Sequence, residues 1–396
     1  MAERNLDFDR IINRKNTRCV KYDLAPLKGY PEDILSLWVA DMDFRTSSYV
    51  EDALRELTRH NIYGYSNTLP GDGFFESVRG WMKRHHHWEP EEDWHIKTPG
   101  VCFAIAMAVR AFTEPGDAVL IQEPVYYPFG NLIRKNGRQA VSSDLVQNAD
   151  GHYVIDFDDF EKKIAEHAVK MFILCNPHNP VGRAWSEEEL LRIGRICAEH
   201  RVIVFSDEIH GDFIWSGEHR VFQETDPGFR HFTVTATAPS KTFNLAGLQQ
   251  SNIFIPNPEL RKKLEAEMEK TGFDEPTIFG ITAAQAAYEH GDEWYEAMKA
   301  YVAGNIDFAD RFVREELPGI RMNKPEGTYL IWLDFRGIGL QAAELDDRIL
   351  HQARLWLDSG AMFGKAGEGF QRINTACPRS ILQEALERLK TTFTAR

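Results

Sequence analysis

The 396-residue chain lacks the features that mark several protein classes. Its five cysteines, an odd number with no CxxC pair, favour a reducing compartment over a disulfide framework. No segment approaches the ~20 consecutive apolar residues that cross a bilayer. Residues 1–23 are charged throughout and lack the apolar core of a signal peptide. A net charge of -14 argues against nucleic acid as the main partner. We therefore expect a cytoplasmic protein with no membrane or nucleic-acid partner.

The order of apolar and amphipathic segments predicts the fold class. From about residue 95, short β-branched runs alternate with amphipathic stretches, which is typical of an α/β fold with a mainly parallel sheet between helices. Ser186 followed by Glu189 predicts a capping box at the start of one helix. The predicted strands are 118–122, 170–175, 201–206, 231–237 and 250–255.

The pattern changes after about residue 290. Residues 327–335 predict a strand, residues 344–359 a helix, and a closing helix begins at Ser380. A chain of this length usually divides into more than one domain. We expect a large domain over residues 45–288 and a smaller α+β domain formed by residues 1–44 together with 289–396.

Polar side chains follow three of the predicted strands. Asn176 opens "NPHNPVG", Asp207 opens "DEIH", and Lys241 lies in "APSKTF". In open α/β sheets, ligands bind at the carboxyl ends of the strands, so these side chains should meet at one edge. An amine that forms a Schiff base, a carboxylate for a ring nitrogen and an amide for a ring oxygen together suit a pyridine aldehyde cofactor.

These motifs resemble a known family over nearly the whole chain. "CNPHNPVG", "SDEIHGD" and "SKTFNLAGL", in this order, are similar to pyridoxal 5'-phosphate (PLP) enzymes with the aspartate aminotransferase fold, the fold-type I PLP-dependent transferases. "WVADMDF", "YGYS" and "RINTACPRS" resemble more closely the MalY/PatB-type carbon–sulfur lyases, or cystathionine β-lyases. Six such strings in sequence order are a specific signal. The resemblance implies a large domain with a seven-stranded type of sheet and PLP as cofactor.

The resemblance also assigns roles around the cofactor ring. It implies that Lys241 is the Schiff-base lysine; the alternative is an ordinary surface lysine. It also implies that Asp207 pairs with the ring nitrogen; the alternative is a helix N-cap residue. Asn176 is expected to contact the cofactor oxygen and the substrate, unless its motif is only a proline-rich turn. Tyr126 is expected to stack on the ring, whereas Tyr127 has the wrong phase for that role; either tyrosine could instead be plain packing.

The cofactor phosphate requires hydrogen-bond donors. Val101 and Cys102, which follow Gly100, open an apolar-faced helix, where free N–H groups and the helix dipole favour an anion. Ser240 could add a hydroxyl. Many relatives have a phosphate-binding serine where this chain has Ala238, so we expect backbone amides to matter more here.

Further residues are assigned to the substrate and to a second subunit. The resemblance implies that Arg372 binds the substrate α-carboxylate as a bidentate pair, with the backbone of Ala40 on the other side of the substrate. His210 replaces a tyrosine common in aminotransferases, which favours the lyase branch. Tyr65 matches a tyrosine that reaches the cofactor of a neighbouring subunit and so implies a homodimer; packing in its own chain is the alternative.

Two further groups of polar side chains could be mistaken for a catalytic or a metal-binding site. We interpret Asp41 and Asp43 as turn and cap residues. We expect no metal at the histidines of residues 85–87, because consecutive helical side chains point ~100° apart.

The implied reaction is α,β-elimination of cystathionine or a related cysteine S-conjugate to a thiol, pyruvate and ammonia. An aminotransferase uses the same lysine, aspartate and arginine, so it remains an alternative. A PLP-binding regulatory protein with weak lyase activity is a second one. The sequence does not determine which sulfur amino acid is preferred.

Overall fold

The computed structural model describes residues 2–66 and 71–394. Within these ranges no helix combines the length and apolarity that a membrane span needs. The helices are α1 (Val20–Leu27), α2 (Ser48–Arg59), α3 (Phe74–His86), α4 (Val101–Phe112), α5 (Pro128–Lys135), α6 (Phe157–Glu166), α7 (Glu187–Glu199), α8 (Pro239–Thr242), α9 (Pro258–Glu269), α10 (Ile278–His290), α11 (Asp292–Glu316), α12 (Ala342–Asp347) and α13 (Arg379–Thr394). The strands are β1 (Leu35–Ser36), β2 (His95–Thr98), β3 (Ala118–Ile121), β4 (Gln139–Ser142), β5 (Val146–Gln147), β6 (Tyr153–Val154), β7 (Met171–Cys175), β8 (Ile203–Asp207), β9 (Thr233–Thr237), β10 (Ser251–Phe254), β11 (Arg321–Met322), β12 (Leu330–Asp334), β13 (Leu355–Trp356), β14 (Asp358–Ser359) and β15 (Phe370–Asn374).

A seven-stranded sheet forms the centre of the described structure, with the order β2-β10-β9-β8-β7-β3-β4. Strands β4, β3, β7, β8 and β9 pair in parallel, whereas β10 runs antiparallel to both β9 and β2. All residues of β3, β7 and β9 are buried, as expected for strands covered on both faces. The predicted α/β class with a mainly parallel sheet is confirmed.

The side chains of β7 show how the sheet is covered on both sides. Met171, Ile173 and Cys175 pack with α4 and α9 in one hydrophobic cluster. Phe172 and Leu174 point to the opposite face and pack with α6 and α7 in another. This alternation is the period of two that a strand imposes on its side chains. It holds the carboxyl end of β7 rigidly between two helical layers.

Helix α7 connects β7 to β8 and begins with the predicted capping box. Ser186 Oγ accepts a hydrogen bond from the Glu189 N–H at 3.2 Å, and Glu189 Oε2 accepts one from the Ser186 N–H at 2.8 Å. Two backbone donors that the helix leaves free are thereby satisfied. The capping box prediction is confirmed.

A second sheet is antiparallel and has the order β11-β12-β15-β14. The predicted helix over residues 344–359 is only partly present: α12 ends at Asp347, a π-helical turn follows to Gln352, and β13 and β14 complete the segment. Leu355 pairs with Leu35 and Asp358 lies opposite Arg372. These long-range pairings override the local helical pattern.

The predicted domain limits stay a prediction, because hydrophobic packing continues across them. Trp81 of α3 contacts Tyr295 of α11 with ring centroids 5.2 Å apart. Phe243, which follows α8, packs near Trp294 at 5.9 Å. One cluster of buried residues therefore includes side chains from both predicted domains.

Candidate active site

A cavity of about 260 Å³ opens at the carboxyl edge of the central sheet. Cys175 and Asp207 end β7 and β8 there, and Lys241 follows β9. Other walls come from the first turn of α4, from residues 38–40 and from the strands β14 and β15. The predicted site residues that line this cavity are Ala40, Val101, Cys102, Tyr126, Asp207, His210, Ser240, Lys241 and Arg372, whereas Asn176 and Tyr65 do not.

Lys241 lies on α8, a four-residue helix one residue after β9. Its Nζ donates a hydrogen bond to the carbonyl oxygen of Ala40 at 2.8 Å. Burial and the nearby positive charge of Arg372 lower the pKa of Lys241 to about 8, although Asp41, among other groups, acts in the opposite direction. The neutral, nucleophilic form of the amine therefore costs less here than for an ordinary lysine.

Asp207 is the last residue of β8, and its side chain is buried. Its Oδ1 accepts a hydrogen bond from the Ile209 N–H at 3.2 Å, and the chain continues as a turn rather than a helix, so the N-cap alternative is wrong. Burial raises the pKa of Asp207 to about 7, although the Ile209 N–H and Lys241 act against this rise. A carboxylate in this position favours a cationic N–H group in the cavity.

The first turn of α4 presents its N–H groups to the same cavity. Gly100 is the N-cap residue, and Val101 and Cys102 are the first helical positions, whose amides have no partner within a helix. The hydroxyl-bearing Ser240 and the methyl of Ala238 form the neighbouring wall. The Cys102 side chain is exposed at this wall of the cavity.

Both tyrosines of "VYYP" line the cavity, so the stacking role predicted for Tyr126 rather than Tyr127 stays a prediction. The two residues lie in the turn that leads into α5, and Tyr127 already has helical dihedral angles, so the alternation of a strand does not apply. Burial, with smaller contributions from Cys102 and Tyr127, raises the pKa of Tyr126 well above its ordinary value. Tyr126 therefore remains a neutral phenol.

The assignment of the cofactor- and substrate-facing amide to Asn176 is wrong. Asn176 Nδ2 donates to the carbonyl of Arg220 at 3.1 Å, and its Oδ1 accepts from the Trp185 N–H at 3.3 Å, so this amide holds the loop together. Asn179, three residues later, lines the cavity instead, and its Oδ1 accepts from Arg372 Nη1 at 2.9 Å. Both asparagines precede a proline in "NPHNP", and the local pattern does not distinguish them.

Arg372 on β15 is almost completely buried and faces the cavity. Its Nη2 donates to the carbonyl oxygen of Trp38 at 2.8 Å and to the carboxylate of Asp358. Its Nε has no hydrogen-bond partner in the described part of the chain. The site thus contains a charged donor group with capacity for a further acceptor.

The backbone at Ala40 is fixed from several directions. Tyr329 Oη donates to the Ala40 carbonyl at 2.9 Å, the same oxygen that accepts from Lys241. Asn374 Nδ2 donates to the Val39 carbonyl at 2.7 Å. Residues 38–40 therefore form a rigid wall opposite the sheet edge.

Asp41 and Asp43 are not turn and cap residues, as interpreted from the sequence, but acceptors in a mostly buried ion cluster. Arg14 Nη2 lies 2.6 Å from Asp41 Oδ2, and Lys21 Nζ lies 2.7 Å from Asp43 Oδ2. Lys21 is completely buried. The cluster attaches the N-terminal segment to the wall at Ala40.

His210 is buried at the cavity and is neutral. Burial, and then the charges of Lys241 and Arg372, lower its pKa well below the ordinary value. Within the described residues its Nδ1 has no hydrogen-bond partner. The ring packs edge to face against Tyr329, with centroids 5.7 Å apart.

The histidine triplet lines a different and larger cavity of about 460 Å³. His85 Nε2 lies 2.6 Å from Asp292, whereas His86 Nε2 lies 2.7 Å from Asp212, so the two rings engage different elements. In residues 2–66 and 71–394, no group of three or more possible ligands has the arrangement of a metal site.

The cavity residues that sequence reasoning missed include the polar side chains of Asn179, Gln250 and Asp358. Asn179 lies in the motif "NPHNPVG", where the local pattern does not distinguish it from Asn176. Gln250 lay in a predicted strand and Asp358 in a predicted helix, so neither carried a signal.

Tyr65 is fully exposed and lies outside the cavity of its own chain. The role predicted for it in a second subunit stays a prediction.

The fold and the cavity define an α/β enzyme with a lysine, a buried carboxylate and an arginine around a binding site at the carboxyl edge of its sheet. The sequence matches the family model of aminotransferase class I and II over residues 32–389, and the chain belongs to this family. It is 44% identical to cystathionine beta-lyase PatB of Bacillus subtilis (strain 168), across 97% of this chain and 99% of that protein.

Two solved structures are similar over nearly the full length. Cystalysin from Treponema denticola, which contains a PLP cofactor, has a TM-score of 0.94 and 36% identity over 98% of each chain. The PLP-bound C-S lyase from Staphylococcus hominis has a TM-score of 0.90 and 34% identity, over 98% of this chain and 99% of that one. The family and fold type implied by the sequence motifs are confirmed.

Proposed function

We propose that this protein is a PLP-dependent carbon–sulfur β-lyase that converts L-cystathionine or a related cysteine S-conjugate to a thiol, pyruvate and ammonia. The observation that carries this proposal is the placement of Lys241, Asp207 and Arg372 around one cavity. It is supported by the 44% identity to a cystathionine beta-lyase along nearly the whole chain. The replacement of a tyrosine by His210 also favours the lyase branch of the family.

The residues of the cavity fit PLP in chemistry. Lys241 offers an amine for its aldehyde, and Asp207 a buried carboxylate for its ring nitrogen. The free amides at Val101 and Cys102 suit its phosphate, with the hydroxyl of Ser240 beside them. When bound, PLP supplies an electron sink for the electrons released at the substrate α-carbon.

Lys241 is suited to act as the base for the α-proton. Because burial lowers its pKa to about 8, the neutral amine is accessible near physiological pH. Once Nζ has taken the proton, the carbonyl of Ala40, 2.8 Å away, can accept a hydrogen bond from the ammonium group. The fixed backbone at residues 38–40 therefore keeps the base in place before and after proton transfer.

Asp207 and Arg372 set the charge and the orientation in the site. Burial raises the pKa of Asp207 to about 7, so the anionic form of this side chain depends on a nearby positive charge. Asp207 therefore favours the protonated form of a ring nitrogen. Arg372 offers a planar guanidinium for the α-carboxylate, which a lysine cannot copy. Asn179, bonded to Nη1 at 2.9 Å, holds that plane.

Product analysis distinguishes a lyase from an aminotransferase. PLP-loaded enzyme with L-cystathionine and no keto acid is expected to release pyruvate and free thiol in equal amounts. Lys241→Ala is the control and should release neither. L-Alanine, which has no sulfur to eliminate, should give pyruvate only if the enzyme transaminates. Strict dependence of turnover on an added keto acid would overturn the lyase proposal.

The proposal includes a homodimer as the active unit, with Tyr65 of one copy reaching the cavity of the other. The complete exposure of the Tyr65 side chain supports this part. It also includes a cytoplasmic location, which is consistent with five free cysteines.

A further inference from the structure

The guanidinium of Arg372 is hydrogen-bonded to a carboxylate of the protein itself. Asp358 on β14 lies directly opposite Arg372 on β15 in the register of the antiparallel pair. Its carboxylate accepts a hydrogen bond from Arg372 Nη2, and both side chains are at least 95% buried. Asp358 also lines the cavity. The protein thus places an acidic group where the substrate carboxylate is expected to bind.

The hydrogen bonds that Arg372 already donates limit how a substrate carboxylate can bind to it. The guanidinium has five N–H groups. The two on Nη2 go to the Trp38 carbonyl and to Asp358, and one on Nη1 goes to Asn179. A bidentate carboxylate needs two parallel N–H groups, on Nε and Nη2 or on Nη1 and Nη2. Each of these pairs includes Nη2, so one of its two acceptors must leave before a substrate carboxylate can bind in this way.

Asp358 is the acceptor that can leave. The Trp38 carbonyl belongs to a main-chain segment held on both sides, by the Leu37 N–H bond to Trp356 at 2.9 Å and by Asn374 on Val39 at 2.7 Å. The Asp358 carboxylate sits on a rotatable side chain. Among the described residues, its hydrogen-bond partner is Arg372.

We propose that Asp358 is a specificity-determining residue whose carboxylate competes with the substrate α-carboxylate for Arg372 Nη2. The inference rests on the proposed function in one respect, the capture of an amino-acid carboxylate by Arg372. Its consequence is that simple carboxylate anions bind weakly. An incoming carboxylate must displace Asp358 and then shares the cavity with a second negative charge.

Asp358→Asn tests this competition without requiring turnover. The probe is propionate, a carboxylate without an amino group, titrated into PLP-loaded enzyme by calorimetry. Because the amide has no charge, propionate should bind about tenfold more tightly to the variant than to the wild type. Asp358→Ser, which removes the charge with a smaller side chain, should show the same direction. Thermal unfolding and the cofactor absorbance establish that each variant is folded and loaded.

Asp346 of α12 provides a matched control, because its carboxylate contacts the same two strands. Its carboxylate accepts from Ser359 Oγ at 2.8 Å and from Gln371 Nε2 at 2.6 Å, and it does not line the cavity. Asp346→Asn should leave propionate binding unchanged, and Arg372→Lys should abolish it. Weaker or unchanged binding of propionate in both Asp358 variants would overturn the proposal, because Asp358 would then only brace Arg372. Retained binding in Arg372→Lys would overturn it too.

The propionate titration and the lyase assay can succeed or fail independently of each other. Propionate binding involves no elimination, so a protein that fails to cleave cystathionine can still show the tightening in Asp358→Asn. Conversely, pyruvate formation together with unchanged propionate binding would leave the proposed function standing and remove the role of Asp358.

Discussion

Asp207 combines burial with a charge that has few partners in the cavity. Its side chain is 5% exposed, and its hydrogen bond in the described structure comes from a backbone N–H at 3.2 Å. Burial raises its pKa from the ordinary 3.8 to about 7. Ionising Asp207 in this buried position costs free energy, which a cationic ring nitrogen of the cofactor can offset. Folding stability and cofactor binding are therefore linked at this residue.

Replacing Asp207 with asparagine should therefore stabilise the cofactor-free protein at pH 8 while removing most turnover of the PLP-loaded enzyme. The stability that Asp207 contributes is fully present below its unfolded pKa of 3.8 and is lost as the pH rises through about 7. At pH 8 the variant should be more stable by at most ~4 kcal/mol, at ~1.4 kcal/mol per pKa unit, and near pH 4 the two proteins should be equal.

Urea unfolding of both cofactor-free proteins at pH 4.5, 6 and 8 measures this difference. The advantage of Asp207→Asn should grow with pH across the series. A difference that does not depend on pH would show that Asp207 is not held neutral by burial. Wild-type turnover in the loaded variant would remove the assigned role at the ring nitrogen.

The helices and strands differ in how far local sequence determines them. Helix α7 has a capping box and a regular apolar face, and both were visible in the sequence. The exposed position of Ser186 means that its contribution is local to the helix N-terminus. Stability lost at this cap should not reach the cavity, because α7 packs on the face of the sheet through Leu190 and Ile193.

Ser186→Ala should lower the free energy of unfolding by about 1 kcal/mol with cystathionine turnover unchanged, because the Glu189 N–H loses the Ser186 Oγ that accepts its hydrogen bond. Urea unfolding at pH 7.5 measures the loss. Glu188→Gln, in the same exposed first turn but outside the capping box, is the matched control and should change stability by less than about 0.5 kcal/mol. Equal effects of the two substitutions would contradict the assigned cap.

Segments determined by long-range pairing were not predictable from local pattern. The apolar runs of β3 and β7 predicted strands because burial on both faces leaves a continuous hydrophobic signal, and β9 was predicted from its β-branched residues. Residues 355–359 gave no such signal, because β13 depends on Leu35 and β14 on Gln371 and Arg372, all distant in sequence. The antiparallel direction of β10 is likewise a property of the assembled sheet.

The residues of the cavity were likewise only partly predictable from the sequence. Lys241, Asp207 and Arg372 were found from residue type and motif, since each chemistry requires one side chain. Which asparagine faces the cavity, and that Asp358 contacts Arg372, are consequences of contacts between segments that meet only after folding. Motifs thus predict which groups take part in the chemistry, whereas the structure shows which groups contact them.

The proposed homodimer is the level at which Tyr65 would complete the site. Tyr65 is fully exposed, while Tyr63 in the same segment packs against Phe279 with ring centroids 5.8 Å apart. If Tyr65 serves the cavity of a second copy, Tyr65→Ala should fold and load PLP but lose activity. Tyr63→Ala, which keeps Tyr65, is the control and should retain activity.

Mixed dimers decide whether Tyr65 acts across the interface. Tyr65→Ala and Lys241→Ala enzymes, each nearly inactive alone, are unfolded, mixed in equal amounts and refolded. A mixed dimer then contains one complete site, with Lys241 from one copy and Tyr65 from the other. Because about half of the dimers are mixed and each carries one such site, about a quarter of wild-type activity should return. No recovery would mean that Tyr65 acts within its own chain, since no mixed dimer then restores a full site.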